Sequence, residues 1–264
     1  MCRICTEPVA DLLDLTEFNC HCCPDVVAIP PELVNLRVLW CYNCPQLVFI
    51  PDTLVNLVRL DCTLCPLLAS IPSTLVNLTR LGCSRCPLLA SIPDALVRLI
   101  KLDCHGCPLV ASIPGTLVQL DNLSCSACPL LVSIPPTLVR LAILDCAHCP
   151  LITSIPSTLV HLDAVYCGFC PLLTSVPNHA VELFCYGCPW LPQNHAAFPA
   201  HLPSLLRLQR WFRHGKKQVF KRVVRTRAFI EFIYDPAQIG GKAVKRQLEA
   251  ELGAMRPEKM QKTD

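Results

Sequence analysis

Residues 57–77 read LVRLDCTLCPLLASIPSTLVN. The Cys-x-x-Cys-Pro at their centre returns with its first cysteine at Cys20, Cys41, Cys62, Cys83, Cys104, Cys125, Cys146 and Cys167, and each step is 21 residues. A ninth pair, Cys185 and Cys188, follows after a shorter step of 18. So many units in one register exclude coincidence. A fixed period of this length marks a chain built of stacked units, each of which buries its apolar face only against its neighbours.

Within one unit the apolar positions are Leu57, Leu60, Cys62, Leu68, Ile71 and Leu75, with Cys65-Pro66 and Pro72 between them. Leu60 and Cys62 are two residues apart, which places them on one face of a short strand. Cys65 stands at the turn out of that strand. Pro66 and Pro72 keep the return arm from forming a long helix. Leu68, Ile71, Leu75 and Leu78 then fill the interior. The spacing fits the leucine-rich-repeat pattern L-x-x-L-x-L-x-x-N/C-x-L. It predicts a repeat solenoid with a concave parallel β-sheet and a helix-poor convex side of extended or 3₁₀ turns.

Over roughly residues 12–192 the repeats resemble those of plant disease-resistance receptors and, more strongly, leucine-rich repeats encoded by large DNA viruses of amoebae. The resemblance implies the fold. It implies little about activity, because one fold hosts many functions. The chain also lacks the nucleotide-binding domain of the plant receptors. A viral origin would imply action in the host cytoplasm.

The organisation follows from where the register holds. Residues 1–19 form a partial repeat and cap, with Leu12, Leu15 and Phe18 already in register. Residues 20–192 are the leucine-rich repeats, 193–203 a linker containing Pro199 and Pro203, and 204–264 a basic helical tail. The 264 residues are 52% apolar but only 6% aromatic, with a mean hydropathy of +0.44. Prolines and polar residues interrupt every apolar window, so no transmembrane segment is expected. The charged N-terminus lacks the apolar core of a signal peptide. A soluble, cytoplasmic chain is the expectation.

Nine pairs account for 18 of the 21 cysteines, leaving Cys2, Cys5 and Cys22. The spacing Cys62-x₂-Cys65-x₁₇-Cys83-x₂-Cys86 fits a zinc pattern. Yet the first cysteine of each pair stands where such repeats bury leucine, and buried cysteine acts as a small hydrophobe. Strands about 4.8 Å apart would stack the equivalent sulfurs too widely for tetrahedral zinc, which needs them about 3.8 Å apart. Metal-free, reduced core ladders are therefore the expectation, in a reducing compartment. Cys2-Arg3-Ile4-Cys5 with Glu7 resembles the start of a RING-CH ubiquitin-ligase finger, and Cys20 and Cys22 mimic its Cys-x-Cys step. No His-x-x-Cys pair follows, which favours an N-terminal cap with two ordinary cysteines.

The residues between the buried strand positions line the concave face: Asn19, Trp40, Asp61, Gly82, Asp103, Ser124, Asp145, Tyr166 and Phe184. Asp61, Asp103 and Asp145 recur on alternate strands, about 10 Å apart, which is too far for a catalytic dyad. They offer an acidic track for a basic partner, or simply a solvated sheet face. On the second view Asp103→Ala should cost under about 0.5 kcal/mol. Flanking columns supply Arg59, Arg80, Arg85, Lys101, His105 and His148. Trp40 and Tyr42 gather near one end, Tyr166, Phe169, Phe184 and Tyr186 near the other, and exposed aromatics and arginines are the usual interface anchors. Partner-binding residues are thus expected at Trp40, Tyr42, Asp61, Asp103, Asp145, Tyr166 and Phe169. His105 and His148 lie inside Cys-x-x-Cys loops, but the cysteines should point inward and the histidines outward. No P-loop, HExxH or Ser-His-Asp order is present, so no enzyme and no cofactor are expected.

Charge divides the chain. Residues 1–199 carry a net −6 and residues 200–264 a net +9. Three helix-like segments, 204–213, 218–233 and 242–252, each space apolar residues on one face. Arg207, Arg210, Arg213, Lys217, Lys221, Arg222 and Arg225 lie in or between the first two. Such a region can bind nucleic acid or an anionic membrane through residues 204–252, or fold back and cap the solenoid. The functions in view are a protein-binding scaffold using the concave sheet, a ubiquitin-ligase substrate receptor, and a polyanion adaptor. Melting and polyanion binding of chains 1–195 and 1–264 separate two roles for the tail. A capping tail predicts that truncation lowers the melting temperature or causes aggregation. An unchanged melt with lost, salt-sensitive polyanion binding contradicts the cap.

Overall fold

The computed structural model describes residues 2–177 and 180–188, all within the first of the chain's two units, which ends at Ala197. The linker and the basic tail, with the seven tail cations named above, lie outside the described residues. Nine three-residue strands form one parallel sheet in sequence order. They are β1 (Glu17–Asn19), β2 (Val38–Trp40), β3 (Arg59–Asp61), β4 (Arg80–Gly82), β5 (Lys101–Asp103), β6 (Asn122–Ser124), β7 (Ile143–Asp145), β8 (Ala164–Tyr166) and β9 (Glu182–Phe184). Each residue pairs with its equivalent in the next repeat, as Leu60 does with Leu81 and Leu81 with Leu102. The sheet starts at Glu17, inside the segment read as cap. The partial repeat therefore contributes a full strand.

The interior is as the period requires. Leu60, Cys62, Cys65, Leu68, Ile71, Leu75 and Leu78 are all buried, as are their equivalents in the middle of the stack, while Leu15, Val176, Leu183 and Cys185 near its ends are partly buried. The helical elements among the described residues are α1 (Arg3–Thr6) and one 3₁₀ turn, Val9–Leu12, both before β1. The convex arms are tight turns such as Leu57 N–H to the Leu54 carbonyl at 3.1 Å. No helix of the described residues is long and apolar enough to cross a membrane.

Three devices recur at the exits of the strands. The first is a thiol rung. The second cysteine of each pair donates to the carbonyl of the first cysteine one repeat earlier: Cys65 to Cys41 at 3.1 Å, Cys86 to Cys62 at 3.2 Å and Cys107 to Cys83 at 3.1 Å. The rung recurs from Cys44 to Cys188. It gives that carbonyl a partner in the interior, where an unpaired one would cost free energy. Burial pushes the strand thiols Cys41, Cys83 and Cys125 well above the ordinary thiol range, so they stay protonated.

The second device is a left-handed residue just before the second cysteine. Cys22, Asn43, Leu64, Arg85, Ala127, His148 and Phe169 all have φ between 54° and 59° there, while Gly106 and Gly187 hold the same place. Both cysteines of a pair must face inward although the chain reverses between them. The left-handed kink achieves this while the N–H of Leu64 still reaches the Ser84 carbonyl at 2.8 Å. Non-glycine residues in this conformation cost about 1 kcal/mol or more. Packing of the two flanking cysteines holds them there.

The third device revises the reading of the acidic column. Asp61 Oδ1 accepts the N–H of Thr63 at 3.1 Å, and Asp145 Oδ1 that of Ala147 at 3.1 Å. Asn19 does the same for His21. These side chains cap the turn that leaves the strand, the Asx geometry such residues favour. Asp103 does more. Its Oδ1 accepts the hydroxyl of Ser84 at 2.5 Å and lies 2.8 Å from His105 Nδ1. Burial opposes ionisation of Asp103, but the Ser84 and His105 bonds outweigh it and hold the carboxyl below its usual range.

Two adjacent substitutions test these assignments. Cys104→Asp places a carboxylate in the stack and should lower stability by several kcal/mol. Asp103→Ala strands the buried Ser84 hydroxyl and should cost about 1–3 kcal/mol, not the under 0.5 kcal/mol expected of a merely solvated group. Because the Asp103 carboxyl is held low, its contribution is present at neutral pH and is lost as the pH falls through its folded-state titration. Chemical denaturation at neutral and acidic pH measures both. A near-neutral Asp103→Ala at pH 7 would contradict the cap.

Candidate functional site on the concave sheet

The concave face carries two outward columns two residues apart. The inner column holds Trp40, Asp61, Gly82, Asp103 and Ser124, and the outer one holds Arg59, Arg80, Lys101 and Asn122. These residues line an open trough of about 230 Å³. Its shape follows from Gly82. A side chain there would meet Asp61 Oδ1 at 3.0 Å, so glycine leaves a hollow between Asp61 and Asp103. Trp40 closes the end next to β3.

The register brings Arg59, Arg80 and Lys101 into direct succession. At the strand spacing they span about 10 Å. All three side chains are exposed, and none has an ion-pair partner among the described residues. Asp61 and Asp103 stand one column away, but their oxygens already hold turn N–H groups and, at Asp103, Ser84 and His105. The trough therefore presents a row of uncompensated cations beside carboxylates committed to the fold. The sequence named these cations only as a flanking column. The sign that singles them out is their consecutive register.

The aromatic residues do not converge on one place. Trp40 belongs to the trough. Tyr42 stacks on His21 at 4.9 Å, nearer the N-terminal edge. Tyr166 stacks on Phe184 at 4.7 Å with ring planes 1° apart, and Phe169 lies between His148 at 4.6 Å and Tyr186 at 5.4 Å. Six strand steps, about 29 Å, separate Trp40 from Tyr166. Asp145 lies between the two groups. Of the expected partner-binding residues, Trp40, Asp61 and Asp103 share the trough at β2–β6 and Tyr166 and Phe169 an aromatic ladder at the sheet's far end, while Tyr42 and Asp145 belong to neither.

Ser84, Asp103 and His105 do touch, but Asp103 lies between the serine and the histidine. A nucleophile needs its hydroxyl against the base, and here the hydroxyl donates to the carboxylate. Ser84 is also fully buried. Cys104, Cys107, Cys146 and Cys149 are buried beside half-exposed His105 and His148, so the inward and outward directions expected for them hold. One sulfur cluster escaped sequence reasoning. Cys2, Cys5 and Cys23 come together at the N-terminal edge, whereas Cys20 and Cys22 stay out of it.

No family model matches the sequence, and no curated protein matches it. Among solved structures the chain is similar to the functional domain of InlJ from Listeria monocytogenes, which includes a cysteine ladder. That likeness has a TM-score of 0.50 at 21% identity and covers 70% of this chain and 47% of that one. It is similar also to the leucine-rich-repeat ectodomain of the plant membrane receptor kinase GASSHO1/SCHENGEN3 from Arabidopsis thaliana, solved with CASPARIAN STRIP INTEGRITY FACTOR 2. There the TM-score is 0.51 at 23% identity, over 69% of this chain and 25% of that one. This chain spans less than half the length of either. At such identities the likeness is one of fold: a parallel β-solenoid of the leucine-rich-repeat kind.

Proposed function

We propose that this chain is a non-enzymatic binding module whose concave trough receives an extended, acidic stretch of a partner protein. The observation that carries the reading is the unpaired row Arg59, Arg80 and Lys101 beside Trp40. Three like charges on adjacent strands repel one another, and an anionic segment lying across the strands relieves that repulsion. Trp40 supplies the apolar anchor that such interfaces centre on. The fold supports the reading, since the plant ectodomain it resembles was solved in complex with CASPARIAN STRIP INTEGRITY FACTOR 2. This sets aside the acidic track, one reading of the Asp column, because those carboxylates are engaged in turns. The ladder at Tyr166, Phe169 and Phe184 offers a second contact to a long partner. A chain so rich in packed free thiols suits a reducing compartment such as the cytoplasm. A ubiquitin-ligase substrate receptor would use the same trough.

An array of extended decapeptides graded in Glu and Asp content tests the charge of the partner. Binding should rise with acidity, weaken with salt, and fall at least tenfold in Arg80→Glu. Trp40→Ala should weaken it without removing its salt dependence. Equal binding by the parent and Arg80→Glu, with both folded, would overturn the reading.

A further inference from the structure

The thiol rungs run out at the N-terminal edge. Each second cysteine from Cys44 onward donates to a carbonyl of the preceding repeat, but Cys23 belongs to the first complete pair and has no earlier pair to reach. Its sulfur instead lies 3.7 Å from Cys5 Sγ, and Cys5 Sγ lies 3.9 Å from Cys2 Sγ. All three sulfurs lie within 4.8 Å of one another. Four-residue α1 presents the first two: Cys2 is its N-cap, and Cys5 N–H bonds to the Cys2 carbonyl at 2.9 Å.

We propose that Cys2, Cys5 and Cys23 bind one thiophilic metal ion, Zn²⁺, which fastens the N-terminal cap to the first repeat. Three features support it. Sulfurs about 2.3 Å from a tetrahedral zinc stand about 3.8 Å apart, close to the 3.7 and 3.9 Å of two of the three pairs here. Among the described residues no other three sulfurs gather this closely, and the second cysteines of the later pairs point their thiols at carbonyls inside the stack. Cys5, by contrast, is exposed and Cys2 half-exposed, so an ion can enter and a water can take the fourth position. On binding, each sulfur forms a bond to the ion and its proton passes to solvent.

The test uses the full chain, kept reduced by a phosphine and loaded with Zn²⁺ or Co²⁺ alone. The expected result is one tightly held ion per chain, thiolate-to-cobalt charge-transfer absorption, and a melting temperature several degrees higher with zinc than with chelator. Exposed Cys5→Ser should abolish all three, whereas Cys22→Ser, one residue from the cluster, should retain them. Failure of the wild-type chain to hold an ion, or retention of the ion by Cys5→Ser, would overturn the proposal. So would a stoichiometry near one ion for every two repeats, which would move the site into the ladder. None of these readouts depends on the concave trough.

Discussion

The structure depends on one contact made once per repeat: the thiol of the second cysteine donating to the backbone carbonyl of the first cysteine one turn back. A stack of three-residue strands has little ladder of its own, and the chain leaves each strand by a sharp kink. The carbonyl at that exit faces the interior, where water cannot reach it. A thiol is small enough to fit beneath the next coil and polar enough to meet the carbonyl at 2.9–3.3 Å. Serine would be costlier to bury, and leucine would leave the carbonyl bare. Cysteine is the compromise, and its 21-residue period sets the spacing of everything else.

Once the rung is fixed, the outward residues acquire their roles. The left-handed residue follows from turning both cysteines inward. The Asx cap follows from the N–H that the kink would otherwise leave unpaired. Only where a repeat supplies a residue these devices do not use does the surface become available for binding. Arg59, Arg80 and Lys101 are such residues, and Gly82 opens the floor between them and the committed carboxylates. Function on this scaffold is what remains after the turns are satisfied.

The period made much of this legible in advance. Strand positions, the inward face, the helix-poor convex side and the burial of both ladder cysteines all follow from residues spaced 21 apart. The left-handed position did not show, because only Gly106 and Gly187 mark it while Leu64 and Phe169 disguise it. The caps did not show, because Asp61 and Asp145 look the same in sequence whether they hold an N–H or face solvent. Cys23 was hidden by its own regularity. Its place in the register assigned it to the ladder, and only its lack of an earlier partner frees it for Cys2 and Cys5.

Alkylation of the native, reduced protein, with labelled cysteines mapped by mass spectrometry, tests the ladder most directly. Cys2, Cys5, Cys22 and Cys185 are exposed or half-buried, while the other 17 are buried. The account predicts rapid labelling confined to those four positions, with the ladder cysteines protected together until the solenoid unfolds. Rapid labelling of Cys62, Cys65, Cys104 and Cys107 in the folded protein would contradict it.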